Sequence, residues 1–415
     1  MLEEIVTWAE IDLDAIAHNV RAFTRHVGGS VEVIAVVKAN AYGHGAVPVA
    51  QTALEAGAIR LAVHRTSEGI QLRRAGITAP ILVMGYTPPS GAASIVGYDL
   101  TPSPISRECA DAIAAEAVRA GRVVPVHVKV DTGLGRYGLL PGEVEDFVRY
   151  VGSLCGVRLE GLYTHLATAD AEDRAYAGVQ IEAFGRLLAI LERAGVRVPL
   201  RHVANSAAML RLPEAHFDAV RPGIAMYGLA PSDHWAPTLD LRPALTLKSR
   251  VSRVRELPSG SGISYGCTFV TTRPMRVALI PAGYGDGYHR VLSNTGSVLI
   301  HGQRAPILGR VCMDQFVVDV DAVPDVRTDD EVVLIGSQGS ARISAEEVAR
   351  LAGTINYEVT TSLAARVTRV FLRGGEVVGV SDVGDGLTTT YFDSQLRPRS
   401  AFGARGRLCS LSTWS

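Results

Sequence analysis

The sequence predicts an α/β fold, a (β/α)8 barrel followed by a mostly β domain. Three observations carry that expectation. Apolar runs alternate with helix-period segments as far as about residue 230. After about residue 235 the pattern becomes short alternating runs divided by Gly- and Pro-containing turns. Residues able to do chemistry fall at the carboxyl ends of several different apolar runs. A chain of 415 residues has room for a barrel of typically about 250 residues and a second unit.

The elements follow in order. Residues 12–23 place Leu13, Ile16, Ala17, Val20 and Phe23 on one helical face, with Asp12 or Asp14 as the cap. Residues 31–37, apolar and rich in Val and Ile, read as a buried parallel strand. A helix over 46–56 ends at Gly57. Residues 80–85, 123–130, 159–165 and 218–221 read as further buried strands. Repeated βα units form either a barrel or a doubly wound sheet. The barrel is favoured because the polar residues end several strands and do not gather at one switch point. In the second half, residues 245–254, 275–280, 316–320 and 331–335 read as strands. The expected division is a barrel over 1–235, a β domain over 236–382 and a loose tail over 383–415 that includes Thr388 to Thr390.

Bulk properties exclude some classes. The net charge is -1 with no strong basic run, which argues against a nucleic-acid partner. The five cysteines are scattered and contain no C-x-x-C, so a disulfide framework or structural zinc site is not expected. No secretory signal is visible at Met1 to Ile5, and no apolar run reaches the roughly 20 residues that span a membrane. A cytoplasmic protein without membrane partners is the expectation.

The most informative segment is Val36-Val37-Lys38-Ala39-Asn40-Ala41-Tyr42-Gly43-His44-Gly45. Lysines past a strand are ordinarily exposed. At the carboxyl end of a barrel strand, however, an amine can be desolvated, its pKa lowered, and its nitrogen used as nucleophile or base. Other segments stand out in order along the chain: Asp131-Thr132-Gly133-Leu134-Gly135-Arg136, Tyr163-Thr164-His165, Asn205-Ser206, Arg221-Pro222-Gly223-Ile224, Gly262-Ile263-Ser264-Tyr265-Gly266, Gly283-Tyr284-Gly285-Asp286, Cys312-Met313-Asp314-Gln315 and Ile355-Asn356-Tyr357. Asp-Thr-Gly also occurs in aspartic proteases, but those need a paired carboxylate and an all-β setting.

Taken together, these segments resemble the alanine racemases over roughly residues 7 to 372. The resemblance implies a pyridoxal 5'-phosphate (PLP) enzyme that interconverts L- and D-alanine and supplies D-alanine for peptidoglycan. It implies Lys38 and Tyr265 as the two catalytic bases. Tyr265 would reach the lysine of another subunit, so a homodimer is expected. Arg221 would face the pyridine nitrogen. Tyr42, Asn205, Ser206, Gly223, Ile224 and Tyr357 would hold the cofactor, chiefly its phosphate. Arg136 would contact the phenolic oxygen and the substrate carboxylate, with Lys129 as a carbamylated lysine orienting it. His165 would bond Tyr265, while Met313, Asp314 and the entryway residue Tyr284 would lie on the substrate side.

An arginine at the ring nitrogen suits racemisation. It is effectively always protonated and hardly gives up its proton, which keeps the ring a weaker electron sink. His64-Arg65 departs from the more usual Ala-Arg of the family, and the stretch after about residue 383 has no family counterpart. Competing readings are a racemase for another amino acid, a decarboxylase of the same architecture, a PLP-binding barrel protein, and a racemase-like domain kept for binding.

Overall fold

The computed structural model describes residues 4–381 and the backbone of residues 382 and 388–391. Eight parallel strands form a nearly closed barrel. In spatial order they are Thr101–Pro102, Ile81–Val83, Arg60–Val63, Glu32–Val36, Ala219–Val220, Leu200–His202, Val157–Tyr163 and Val124–Lys129. The ladder is interrupted between the first and last of these, and each of the two carries a proline, Pro102 and Pro125. Proline has no N–H to give a ladder, so it belongs on an edge.

The helix Leu13–Val27 buries Leu13, Ile16, Ala17, Val20 and Phe23, the face expected from its period. Of the two candidate caps, Asp12 is the one used: its Oδ1 accepts the Ala15 N–H at 2.9 Å.

The second sheet has 12 strands among the described residues. Its members include Leu245–Arg250, Met275–Ile280, Phe316–Asp319 and Glu331–Gln338. The run expected as one strand over 245–254 is two, Leu245–Arg250 and Arg253–Leu257, because the chain turns at Val251 and Ser252.

The first strand of the chain, Thr7–Asp12, also lies in this sheet, although the expected division groups it with the barrel. It runs antiparallel to Leu245–Arg250 and parallel to Thr368–Arg373. Ala9 and Ile11 point into the core, fully buried. On the other face Lys248 bridges Glu10 at 3.0 Å and Glu331 at 2.9 Å. The two halves share a continuous apolar core. Phe371 of the second sheet packs so closely on Gly45 of the barrel that a Cβ at Gly45 would come within 2.7 Å of the ring.

The expected tail needs a correction. Thr388–Tyr391 forms a strand antiparallel to Glu376–Asp382. Its three threonines and tyrosine are strong β-formers, and the neighbouring strand offers an open edge. The rest of 383–415 lies outside the described residues. No described helix is long and apolar enough to cross a membrane, and no described group of His, Cys, Asp and Glu could hold a metal ion.

Candidate active site

The strand Glu32–Val36 ends at the barrel mouth, and the chain then does something sterics disfavour. Ala39, Asn40, Ala41 and Tyr42 all take φ between 51° and 53°, a full left-handed turn. Each such residue costs roughly 1–2 kcal/mol. The surroundings hold the turn from several sides. Glu68 accepts the Ala39 N–H at 2.6 Å, and Asn40 Oδ1 accepts the Ala46 N–H at 2.8 Å. Buried Arg369 donates to Gly43 O at 3.1 Å and also to the carbonyls of Leu363, Ala364 and Val367. Burial keeps His44 neutral, with its pKa at about 4, and its Nδ1–H donates to Ala41 O and Tyr42 O. Gly43 must be glycine: its φ is 87°, and a Cβ would lie 2.1 Å from Thr360 O. Strain of this kind persists only where neighbours over-determine it, and it gathers at functional sites.

The turn aims Lys38 and Tyr42 into a cavity of about 1270 Å³ at the barrel mouth. Four cationic side chains line it, Lys38, Lys129, Arg136 and Arg221, against two carboxylates, Asp170 and Asp233. The site therefore favours an anionic ligand. Burial lowers the pKa of Lys38, and Arg136 lowers it further, against a smaller opposing effect of Glu68. Lys129 is pushed down to about 8 by burial and then by Arg136, Arg221 and Lys38. Its Nζ lies over the rings of Tyr137 at 5.3 Å and Tyr163 at 5.6 Å. Burial and the surrounding cations hold His165 neutral, at about 3.

Arg221 follows the strand Ala219–Val220 and is buried. Nη1 donates to His202 Nδ1 at 2.7 Å and His202 O at 2.8 Å, and Nη2 to Thr164 O at 2.7 Å and Val203 O at 3.0 Å. These four bonds fix the plane of the guanidinium and leave Nε–H as the donor they do not use. Beside it, Ser206 Oγ accepts the Gly223 N–H at 2.8 Å and the Ala225 N–H at 3.3 Å. Gly223, expected to offer its own N–H to a ligand, thus spends it on Ser206. The Ile224 N–H opens the short turn Ile224–Tyr227 and has no partner within that turn. A Cβ on Gly223 would sit 2.4 Å from Tyr42 Oη. Tyr42 Oη, Ser206 Oγ and the Ile224 N–H therefore converge, with Tyr357 lining the same cavity and its ring 6.1 Å from that of Tyr42. Burial raises the pKa of both tyrosines, so they remain donors. Asn205 also lines the cavity, while its Oδ1 caps the helix Ser206–Arg211.

The loop that carries Arg136 is folded around Asp131. Its carboxylate accepts the N–H groups of Gly133, Leu134, Gly135 and Arg136 at 2.7–3.1 Å. It is a structural anchor, unlike the catalytic aspartate that the Asp-Thr-Gly triplet mimics.

A second constellation stands apart in the other sheet. Tyr265 is 75% exposed, Met313 54% and Tyr284 42%, and none of them lines the cavity. They are nevertheless built on one rigid platform. Ser264 and Cys267, flanking Tyr265, take φ of 63° and 44°. Ser264 Oγ donates to Arg310 O at 2.7 Å. The Tyr284 N–H donates to Cys312 O and the Gly285 N–H to Met313 O. Arg366 ties Asp286 at 2.7 Å to Asp314 at 2.8 Å. Asp314, expected on the substrate side, is thus engaged within the platform itself.

The family model described as the alanine racemase amino-terminal domain matches residues 11–231, and that of the carboxyl-terminal domain matches residues 244–371. The chain belongs to the alanine racemase family. It is an enzyme of the isomerase class. It is 49% identical over 370 residues to an alanine racemase of Symbiobacterium thermophilum, covering 89% of this chain and 97% of that one. It is 47% identical over 365 residues to one of Halothermothrix orenii, covering 88% and 96%. A crystal structure of the Bacillus anthracis alanine racemase with bound L-Ala-P superposes with a TM-score of 0.87 at 42% identity, covering 91% of this chain and 98% of that one.

Of the residues expected from the family motifs, the cavity gathers Lys38, Tyr42, Lys129, Arg136, His165, Asn205, Ser206, Arg221, Gly223, Ile224 and Tyr357. Tyr265, Tyr284, Met313 and Asp314 lie elsewhere in the same chain. Sequence reasoning missed Glu68, Arg369 and the buried pair His127 and His202. A signal was present for His127, a polar residue alternating with valines in a run otherwise read as buried strand.

Proposed function

We infer that this protein is a PLP-dependent alanine racemase that interconverts L- and D-alanine, works as a cytoplasmic homodimer and supplies D-alanine for peptidoglycan. The observation that carries the reading is a half-buried lysine amine sharing one cationic cavity with an arginine locked by four hydrogen bonds. The residues present fit the cofactor. Tyr42, Tyr357, Ser206 and the Ile224 N–H form a donor cluster suited to a phosphate. Lys38 is the amine for its carbonyl, and Arg221 Nε–H is a donor for its ring nitrogen. When bound, the cofactor supplies the electron withdrawal that makes the substrate Cα–H acidic.

The chain's own groups do the rest. Lys38, its basicity lowered by burial and by Arg136, holds or takes a proton at Nζ on one face of Cα. Inversion needs a second base on the opposite face, since a single rigid base tends to restore the starting enantiomer. The partner subunit's Tyr265 is assigned that role, and its exposure on a rigid platform supports a contact made in trans. Arg136 binds the substrate carboxylate, the Met313 N–H of the same platform assists, and Tyr284 lines the entry. Neutral His165 orients the phenol. Lys129 is buried, with no carboxylate within salt-bridge distance among the described residues. Carbamylation would turn it into an anionic partner for Arg136. Arg221, bound to three carbonyls and a neutral histidine, stays a donor, which disfavours the decarboxylase reading with its acidic residue at this position.

The test is D-alanine formation from L-alanine by the purified protein with PLP, beside Lys38→Ala. The expected result is racemisation that falls by roughly 10²–10⁴-fold or more in the variant. Bound PLP without D-alanine would redirect the reading to another amino acid or to decarboxylation.

A further inference from the structure

Arg221 is buried, yet no carboxylate touches it among the described residues. A buried cation without a counter-charge is costly. The compensation arrives through two rings. His202 accepts Arg221 Nη1 at Nδ1, and its Nε2 lies 2.9 Å from His127 Nδ1. His127 Nε2 lies 3.1 Å from Glu160 Oε2, and the same oxygen accepts Arg60 Nη1 at 3.0 Å. Arg60 is itself paired to Glu32 at 2.9 Å, and Arg158 reaches the other oxygen of Glu160 at 3.4 Å. The row runs through the barrel interior, from Arg221 at the mouth to Arg60 and Glu32 where their strands begin.

Donor and acceptor are settled at every step. Arginine only donates, so His202 Nδ1 must accept. A neutral His202 then carries its proton on Nε2 and gives it to His127 Nδ1. His127 in turn donates from Nε2 to the carboxylate. An imidazolium at either ring would set two donors against each other. Burial pushes both histidines down, and the hydrogen bond from His127 holds Glu160 at about 2, in agreement with that protonation. The fold also makes room for the row: a Cβ on Gly161 would lie 2.6 Å from His127 Nδ1.

We propose that Glu160 is the remote counter-ion of Arg221, joined to it by neutral His202 and His127, and that this positioning residue limits how strongly Arg221 donates to the bound cofactor. The two rings deliver the effect of a carboxylate while keeping the carboxylate itself out of the cavity, where it could protonate the ring nitrogen. This rests on the PLP reading above for its chemical consequence, but not for its geometry. Removing the charge makes the guanidinium more acidic and its remaining donor stronger. The ring becomes a better electron sink, and more turnovers end in transfer of the amino group to the cofactor with release of pyruvate.

Two measurements test it. In the holoenzyme, Glu160→Gln keeps an acceptor for His127 and deletes the charge. Its pyruvate-to-D-alanine ratio should rise roughly three- to tenfold, the consequence of about half to one pKa unit on Arg221. Glu160→Asp should hold the ratio near wild type. An unchanged ratio in a folded, cofactor-loaded Glu160→Gln would overturn the proposal. The second measurement is ¹⁵N NMR of the histidines in the unmodified protein without cofactor, which does not depend on the variant folding. Both His127 and His202 should be neutral with the proton on Nε2, and an imidazolium or an Nδ1–H at either would refute the row. A wild-type protein that neither binds PLP nor racemises alanine, yet shows these tautomers, would sink the functional reading and leave the row standing.

Discussion

Lys38 and Tyr265, assigned to the two ends of one proton's path, sit in opposite surroundings. Lys38 lines a cavity behind a left-handed turn that Glu68, Asn40, His44 and Arg369 all hold. Tyr265 is 75% exposed on a loop whose own backbone is strained but whose side chain packs on little of its own chain. The barrel mouth is thus finished within one copy of the molecule, whereas the platform is left exposed, as the proposed contact in trans requires. Residues of the first kind serve stability and chemistry together; residues of the second kind can be changed without disturbing the fold that presents them.

The sharpest way to break that contrast is to change one residue of each kind. Tyr265→Phe should lower inversion by roughly 10²–10⁴-fold while moving unfolding free energy by no more than about 0.5 kcal/mol. Exchange of solvent deuterium into one enantiomer should persist, and equal loss of exchange from both enantiomers would contradict the assigned faces. Gly43→Ala, by contrast, forces a Cβ onto Thr360 O at a positive φ and should cost about 2 kcal/mol or more in denaturant unfolding. A Gly43→Ala protein as stable as wild type would mean that the turn is not held as described.

A smaller effect sharpens the electrostatic side. Folded Lys129 loses its proton near about 8, whereas the unfolded side chain keeps it to near 10.5. Below both values each state is protonated and the penalty for the buried cation is fully present. Between them the unfolded state binds more protons, so stability rises with pH. The stability difference between wild type and Lys129→Met should therefore shift in favour of wild type from about pH 8 upward in carbonate-free buffer. A flat difference would show that the free amine is not what occupies the site, as carbamylation requires.

Much of this was legible in the sequence, and the reasons differ by residue. The strand before Lys38 announces itself by its apolar run, and Asp12 by the helical face it caps. The left-handed turn was not legible, because alanine and tyrosine carry no preference for positive φ and only tertiary contacts enforce it. The place of Thr7–Asp12 in the second sheet is not legible, because sequence order says nothing of which sheet a strand joins. Motif position points to Gly223 and Asp314 as ligand contacts, but it does not reveal their partners within the chain, Ser206 and Arg366, which lie 17 and 52 residues away in sequence. His202, His127 and Glu160 each look like an isolated polar residue in a strand; only the barrel aligns them.

Subunit mixing is the test of whether, as proposed, one catalytic site is assembled from two chains. Lys38→Ala and Tyr265→Phe proteins, each inactive alone, would be dissociated together, reassociated with PLP and assayed for D-alanine. Half of randomly assembled dimers are mixed, and each mixed dimer holds one site with both an intact Lys38 and an intact Tyr265, so about one quarter of wild-type activity should return. If the mixture forms mixed dimers and still makes no D-alanine, the two bases do not meet across subunits and the account is wrong.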